Sequence, residues 1–279
     1  MSSITISASD VNKLRQTTGA GMMDCKKALL EAEGDFEKAI DFLRKKGQKV
    51  AASRSDRDAN EGVIIAKTTA DGKSGAIVVV NCETDFVAKN EEFTQFVHRI
   101  ADLAIENKPA GIDELKALTY DGSKLTVADK ITEQVGKIGE KIDLNKFEMI
   151  SADSVTAYIH PGNRLATLVG FNKPNVTAEV MKDVAMQIAA MAPVAVDKAD
   201  VDAKTIEKEL EIARELIRQE GKPEDMVEKI AQGKLAKFYK ESTLLNQEFI
   251  KDAKKTVAQY LKDTESGLTV TGFKRFSLN

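Results

Sequence analysis

The chain has 279 residues, of which 42% are hydrophobic, enough to bury a sizeable core in roughly one to three domains. Its 41 basic and 44 acidic residues leave a net charge of −3, which argues against a protein that coats nucleic acid through charge alone. No apolar run reaches the roughly 18 residues of a membrane span, and the first residues lack the pattern of a signal peptide, so we expect a cytoplasmic protein.

The first fifty residues predict three short helices, because apolar residues recur at helical spacing between glycine breaks. Ser9 is expected to cap the first helix and Asp35 the third. The second helix should end at Gly34 and the third at Gly47. The expected apolar faces are Val11 and Leu14, then Cys25, Ala28, Leu29 and Ala32, and then Phe36, Ala39, Ile40 and Leu43.

A basic segment, 45–57, follows without periodicity and is expected to be a linker. Its charges could touch nucleic acid, but a solvated tether is the favoured interpretation. The three helices carry few large apolar groups, which is typical of a small binding module. We therefore expect residues 1–55 to form a three-helix module with its linker.

Residues 56–150 predict the first half of a core. Strand Val63-Ile64-Ile65-Ala66 runs into the turn signal Asp71-Gly72, and the return strand 76–80 is apolar throughout, as expected of a strand covered on both faces. Two helices and a strand ending near Met149 should follow. The helical stripes are Phe93, Phe96, Val97, Ile100, Leu103 and Ala104, and then Val127, Ile131, Val135 and Ile138.

The same order recurs in residues 151–279, which predicts a second core half and an α+β fold with a structural pseudo-repeat. A highly charged insertion, 197–241, carries a thin apolar seam on each side of Gly221-Lys222-Pro223, which is typical of a projecting antiparallel helical hairpin. The alternating segment 268–273 should return the chain to the sheet. The other expected elements are strands at 155–159 and 165–169 around Pro161-Gly162-Asn163, and a helix with Val180, Val184, Ile188 and Met191.

Motifs of common enzyme classes are absent from the sequence, which has no GxGxxG, GxxxxGK[ST], GxSxG or HExxH pattern. Cys25 and Cys82 are the only cysteines, and their positions favour buried, reduced core residues. His98 falls within a helical run, where a structural role is favoured. We therefore expect no catalytic residue, no resident metal and no cofactor, and thiol chemistry at Cys25 or Cys82 stays as an alternative.

Two places are not explained by core packing. In Thr84-Asp85-Phe86-Val87, a buried strand has ended and Phe86 stands beside an acid where the chain should turn. From spacing alone, a helix cap with Phe86 in the core is the favoured interpretation, and an exposed apolar probe is the alternative. The other place is the run 19–23, whose two adjacent methionines cannot both face one small core. Either both form a contact surface, or one is buried and the other exposed.

These places lie within two longer runs that resemble signatures of the bacterial elongation factor Ts family. The first comprises Leu14-Arg15 and residues 18–29, and the second comprises residues 81–89. The resemblance spans nearly the whole chain in the expected order. Shorter matches are Gly34-Asp35, Ala39-Ile40, Leu43-Arg44, Lys137-Ile138-Gly139-Glu140, His160, Val270-Thr271-Gly272-Phe273 and Arg275-Phe276.

The resemblance implies a guanine nucleotide exchange factor for elongation factor Tu, the GTPase that carries aminoacyl-tRNA. It also implies a ubiquitin-associated-like N-terminal module, two related α+β halves and a protruding coiled-coil hairpin. The expected partner is the GTPase in its GDP-bound and nucleotide-free forms. No membrane and no direct nucleic-acid contact are expected, and exchange would need no covalent chemistry of the chain's own.

Carried over residue by residue, the resemblance places the partner contacts at Thr84, Asp85, Phe86, Val87, Met22, Met23 and His160. Phe86 would act as a wedge in the GTPase, and Asp85 would help disturb the surroundings of the nucleotide's Mg²⁺. Met22 and Met23 would contact the GTPase domain, and His160 would lie near its phosphate-binding region.

One feature departs from the family pattern, and one alternative function remains. Some members continue into a C-terminal helical module, whereas this chain stops at Asn279, so we expect contacts of that module to be missing or replaced. The alternative function is a non-catalytic adaptor that binds other partners through its three-helix module.

Overall fold

The computed structural model describes residues 5–122 and 124–278 as a mixed helix and sheet fold, which confirms the α+β prediction. Predictions that rest on the first four residues or on Asn279 lie outside this range. The helices are α1 Ala8–Thr18, α2 Met22–Glu31, α3 Phe36–Ser53, α4 Asp85–Ala88, α5 Glu91–Asn107, α6 Ile112–Ala117, α7 Val127–Ile138, α8 Ala178–Met191, α9 Ala203–Gln219, α10 Glu224–Ser242 and α11 Val257–Thr264. The strands are β1 Glu61–Thr68, β2 Ser74–Cys82, β3 Ile142–Ser151, β4 Ser154–Ile159, β5 Leu165–Phe171, β6 Glu248–Phe249, β7 Asp252–Thr256 and β8 Val270–Ser277.

Two three-stranded antiparallel sheets repeat one topology. The first has the order β1-β2-β3 and the second β4-β5-β8, so in each a hairpin is followed by a third strand that pairs with the hairpin's second strand. A helix follows each hairpin, α5 in the first half and α8 in the second. The pseudo-repeat and the return of the chain through β8 are thus as predicted.

The two sheets pack face to face, and helices cover their outer faces. β2 is buried along its whole length, as its continuous apolar sequence predicts. Gly75 allows the sheets to approach closely, because a Cβ there would lie 2.4 Å from Leu168 Cδ1. The residues between the sheets include Ile64, Ala66, Ile77, Val79, Val155, Ala166 and Leu168. The helix-covered clusters include Phe93, Val97, Ile100, Val127 and Ile131 on the first sheet, and Phe171, Val184, Ile188, Val257 and Leu261 on the second.

The three N-terminal helices form a small cluster of their own, as predicted, but two of their ends differ. Ser7, rather than Ser9, caps α1, and its hydroxyl accepts from the backbone N–H of Asp10. Helix α3 continues through Gly47 to Ser53, so the prediction of a linker over 45–57 is wrong for most of that segment.

Close contact with α7 explains why α3 continues. Gly47 lies against Gly136, and a Cβ on Gly47 would stand 2.9 Å from the Thr132 carbonyl oxygen. Val50 and Ala51 pack against the cluster on the first sheet. Tertiary packing therefore extends the helix beyond the glycine that was expected to stop it.

The inserted hairpin consists of α9 and α10, with Gly221 in a left-handed turn between them. The exposed ion pairs Arg214–Glu228 and Arg218–Glu224 join the two antiparallel helices. Its buried residues Ala213, Ile217, Val227 and Ala231 form a cluster separate from those on the sheets.

Other details of the second half differ from the predictions. Met191 is 46% exposed and does not join the buried stripe of α8, because it lies in the last turn. The sequence did not predict α6, the β6–β7 hairpin or α11. Among the helices of the described residues, none is long and apolar enough to cross a membrane.

Candidate protein-docking site

The run Thr84-Asp85-Phe86-Val87 opens a one-turn helix, α4, just beyond the end of buried β2. Thr84 is its N-cap, with a hydroxyl that accepts from the Val87 backbone N–H at 3.4 Å. The longer helix α5 has a separate cap, Asn90, whose side chain accepts from the Phe93 N–H. The predicted cap is therefore present, but it serves a short helix of its own.

Phe86 points outward from this turn and is 83% exposed, the largest exposed fraction among the large apolar side chains of the described residues. Val87, beside it, is half-buried and packs on the cluster under the first sheet. The favoured sequence interpretation, with Phe86 in the core, is wrong, and the exposed alternative is correct. The turn thus packs on the core through Val87 and presents the apolar side chain of Phe86 to solvent.

Asp85 places a negative charge next to Phe86. Lys89 Nζ donates to its carboxylate at 2.6 Å, and this hydrogen bond lowers the pKa of Asp85 below its usual range. The Lys89 side chain is exposed and that of Asp85 is about half exposed, and surface pairs of this kind contribute little stability. The carboxylate is therefore ionised at neutral pH and can exchange Lys89 for another partner at small cost.

The carboxylates of Glu140 and Glu83 accept hydrogen bonds that connect the turn with Phe86 to distant segments of the chain. Glu140 accepts from the Thr84 backbone N–H at 3.1 Å and from the Thr84 hydroxyl at 2.7 Å. Glu83 accepts from the Lys141 N–H at 2.6 Å and from Arg54 Nη1 at 3.0 and 3.1 Å. The hydrogen bond from Lys141, and then Arg54, lower the pKa of Glu83 below its usual range.

Met22 and Met23 begin α2, directly after the N-cap Gly21. They are 53% and 73% exposed, so both face outward and the alternative with one of them in the core is wrong. The preceding bend, at Gly19, lies beside the side chain of Lys137 at the end of α7.

Lys137, which lies beside this bend, also forms an ion pair with the start of α5. Lys137 Nζ lies 2.6 Å from a carboxylate oxygen of Glu92, in the first turn of that helix. The C-terminal end of α7 therefore lies between the bend at Gly19, which precedes Met22 and Met23, and the start of α5, which follows the turn with Phe86.

His160 is exposed at the turn between β4 and β5, where its Nδ1 lies 3.0 Å from the Tyr158 hydroxyl. The same turn packs on the first half of β1, where the Ile64 N–H donates to the Asn163 carbonyl at 2.8 Å. In the β-ladder, Glu61 at that end of β1 pairs with Cys82, two residues before Thr84. His160 is therefore at the same end of the first sheet as the turn with Phe86.

Neither cysteine is arranged as a nucleophile. Burial, together with Glu140 and Glu61, raises the pKa of Cys82 to about 12, and burial also raises the pKa of Cys25. The thiolate is the reactive form, and here both thiols stay protonated at neutral pH. The Cys82 thiol instead donates to the Thr84 carbonyl at 3.2 Å, which makes it part of the support of the turn.

The amino-acid sequence is similar to those of known proteins. The family model for Elongation factor TS matches residues 83–279. Proteins named Elongation factor Ts from Amoebophilus asiaticus and Flavobacterium psychrophilum are 56% and 52% identical to the chain, and a third, from Porphyromonas gingivalis, is 51% identical. Each alignment covers 98–99% of this chain and of the relative. The chain belongs to the elongation factor Ts family.

The family model covers part of the site, and the relatives cover nearly all of it. The elongation factor Ts model begins at Glu83, so it includes the turn with Phe86, the Glu140 segment and His160. The three relatives extend the similarity over nearly the whole chain, including the helices that carry Met22 and Met23. Sequence reasoning assigned no role to Glu83, Glu140 or Arg54. Glu83 and Glu140 lie within runs that carry the family resemblance, but contacts between distant segments leave no local signal that would assign them a role.

Proposed function

We propose that this chain is a guanine nucleotide exchange factor that promotes GDP release from elongation factor Tu by disturbing the GTPase's Mg²⁺ and phosphate site. Membership of the elongation factor Ts family supports a role in translation elongation as the partner of that GTPase. The observation that carries the mechanism is the 83% exposed Phe86 on a capped turn, next to an ionised Asp85.

Phe86 acts as a wedge that enters an apolar gap of the GTPase. Asp85 brings a carboxylate close to the Mg²⁺ ion of the bound nucleotide. That ion bridges nucleotide phosphates to protein oxygens, so moving its ligands weakens GDP binding. No bond of the nucleotide is made or broken, and the chain acts through binding alone.

Linkage sets the size of the effect. Factor and nucleotide must weaken one another by the same factor, and a thousandfold weakening corresponds to about 4 kcal/mol. Burial of one Phe side chain supplies roughly 1.5–3 kcal/mol. Met22, Met23, His160 and the remaining docked surface must therefore supply the rest, by holding the GTPase in a state that GDP does not favour.

The test is release of a fluorescent GDP analogue from the cognate GTPase during a chase with excess GDP. The wild-type chain should accelerate release, and Phe86→Ala should slow this accelerated release by roughly tenfold or more, as the burial of one Phe implies. Folding should be unaffected, since Phe86 is exposed.

Ile250→Ala is a matched control, because Ile250 is also an exposed large apolar residue but lies on the turn between β6 and β7. It should release GDP like the wild type. An unchanged release rate on addition of the wild-type chain would contradict the proposed function. Equal rates for Phe86→Ala and the wild type would contradict only the wedge.

A further inference from the structure

Glu140 is the residue that connects α7 to the turn with Phe86. It directly follows Gly139, whose left-handed backbone (φ 80°) ends α7 and directs the chain toward β3. Both of its carboxylate oxygens accept hydrogen bonds from one residue, Thr84, which is 56 positions away in the sequence.

The hydroxyl of Thr84 connects Glu140 to α4 through two hydrogen bonds. It donates to Glu140 at 2.7 Å, and the same oxygen accepts from the Val87 N–H inside α4. A four-residue helix cannot maintain itself, because nucleation fixes several residues for very few hydrogen bonds. The direction of α4, and with it that of Phe86, is therefore set by tertiary contacts, and the carboxylate of Glu140 makes the charge-assisted ones.

The neighbouring residues form another hydrogen bond between the same two segments, with the carboxylate now on the segment that contains Thr84. Glu83, one position before Thr84, accepts from the backbone N–H of Lys141, one position after Glu140. Lys141 Nζ donates to the carbonyls of Ser55 and Arg57 at 2.7 and 2.9 Å, just beyond the end of α3. Hydrogen bonds thus connect the two chain segments at two places, and the second connection continues to the end of α3.

We propose that Glu140 is a positioning residue for nucleotide exchange, which fixes the direction of Phe86 through the N-cap Thr84 without itself touching the nucleotide. This inference rests on the proposed function. It follows that loss of Glu140 leaves Phe86 present and exposed, but its direction is no longer fixed. The effect should fall on the rate of GDP release within the docked complex rather than on docking.

The first experiment measures release of the fluorescent GDP analogue over a range of exchange-factor concentrations. The plateau rate reports release within the complex, and the half-saturating concentration reports docking. Glu140→Ala removes both hydrogen bonds to Thr84 and should lower the plateau by at least about tenfold, the size expected from losing one charge-assisted hydrogen bond alone. The half-saturating concentration should stay unchanged, because Met22, Met23 and His160 are intact. Glu140→Gln keeps the shape and one acceptor oxygen, so it should give a smaller decrease and also remains informative if the alanine variant does not fold.

Asp129 provides a matched control at the other end of α7. Its carboxylate also accepts from a threonine's N–H and hydroxyl, those of Thr126, both at 2.9 Å. Asp129→Ala therefore removes an equivalent pair of hydrogen bonds at the start of α7, and it should lower the melting temperature without changing the plateau. An unchanged plateau in Glu140→Ala, or an equal decrease in Asp129→Ala, would overturn the proposal.

A second experiment needs no GTPase. The chain has no tryptophan, so Phe86→Trp introduces a single fluorescent reporter at the tip of the turn. In this background Glu140→Ala should lower the fluorescence anisotropy of the indole, whereas Asp129→Ala should not, and equal anisotropy in all three proteins would reject the positioning role. If the wild type fails to release GDP, the proposed function is wrong, but the anisotropy still decides whether Glu140 holds the turn.

Discussion

At the scale of single residues, the ionised Glu83 should make the free energy of unfolding decrease as the pH falls into the acid range. The hydrogen bond from Lys141 and the Arg54 guanidinium lower its pKa in the folded state. Its contribution is therefore complete above the unfolded glutamate pKa of about 4.3 and is lost as the pH falls through the lower folded value. We expect Glu83→Gln to reduce the free energy of urea unfolding at neutral pH, and this difference from the wild type to shrink below about pH 4.

The control is Glu241→Gln, which removes an exposed pair with Lys237 at 3.7 Å. Exposed helical pairs of this kind contribute little, so this variant should stay close to the wild type at every pH. A Glu83→Gln deficit that is constant from neutral to acid pH would contradict the assignment, because it would arise from lost packing instead of charge.

The exposure of Phe86 shows what the sequence can and cannot predict about a residue. A threonine after a buried strand correctly predicts an N-cap, because the cap is a local interaction with the next turn. Whether the following aromatic side chain points inward depends on the direction of α4. That direction depends on the hydrogen bonds that Thr84 and Glu83 make with Glu140 and Lys141, in a distant segment, so spacing alone favoured the wrong answer.

At the scale of elements, the crossing of α3 and α7 depends on two glycines. A Cβ on Gly136 would lie 2.8 Å from Gly47 Cα, which forces the helices apart. Gly136→Ala should destabilise the chain, because overpacking costs roughly 1–3 kcal/mol while the gain in helix propensity is about 1 kcal/mol. The matched control is Gly233→Ala in α10, where no neighbour lies within 4 Å. It should raise the free energy of unfolding by up to about 1 kcal/mol, as measured by urea titration. Stabilisation by both substitutions would mean that the helices do not cross so closely.

The same crossing explains which elements could be predicted. Helices α5 and α7 carry broad apolar stripes that bury against a sheet, and their periodicity identified them. The end of α3 carries only Val50 and Ala51 as apolar contacts, among basic residues, and Gly47 has the usual mark of a helix end. Here glycine serves close helix packing instead, and this can be recognised only when α7 is known to lie opposite. The two-residue strand β6 is too short for any periodicity.

At the scale of the whole molecule, two projecting parts are attached in different ways. The α9–α10 hairpin has its own apolar cluster, whereas α3 shares the cluster under the first sheet and is tied to it by Lys141 and Arg54. The proposed docking through Met22, Met23 and Phe86 together would therefore use one connected body, in which no free tether separates the three-helix module from the first sheet. Such a body suits the proposed exchange factor, which would hold the GTPase at several points at once, better than an adaptor that binds through the module alone.

Two deletions test this distinction. Replacing residues 207–237 with a short Gly-Ser linker should leave the unfolding of the remaining body nearly unchanged, because the hairpin cluster is separate. Deleting residues 1–55 should lower the melting temperature by at least about 4 °C, since it uncovers the face of α7 that packs on α3 and removes Arg54 from Glu83. That shorter chain should still accelerate release of the fluorescent GDP analogue, but more weakly than the full chain, because Phe86 and His160 remain. Complete loss of GTPase binding, with a folded core by circular dichroism, would instead favour the adaptor.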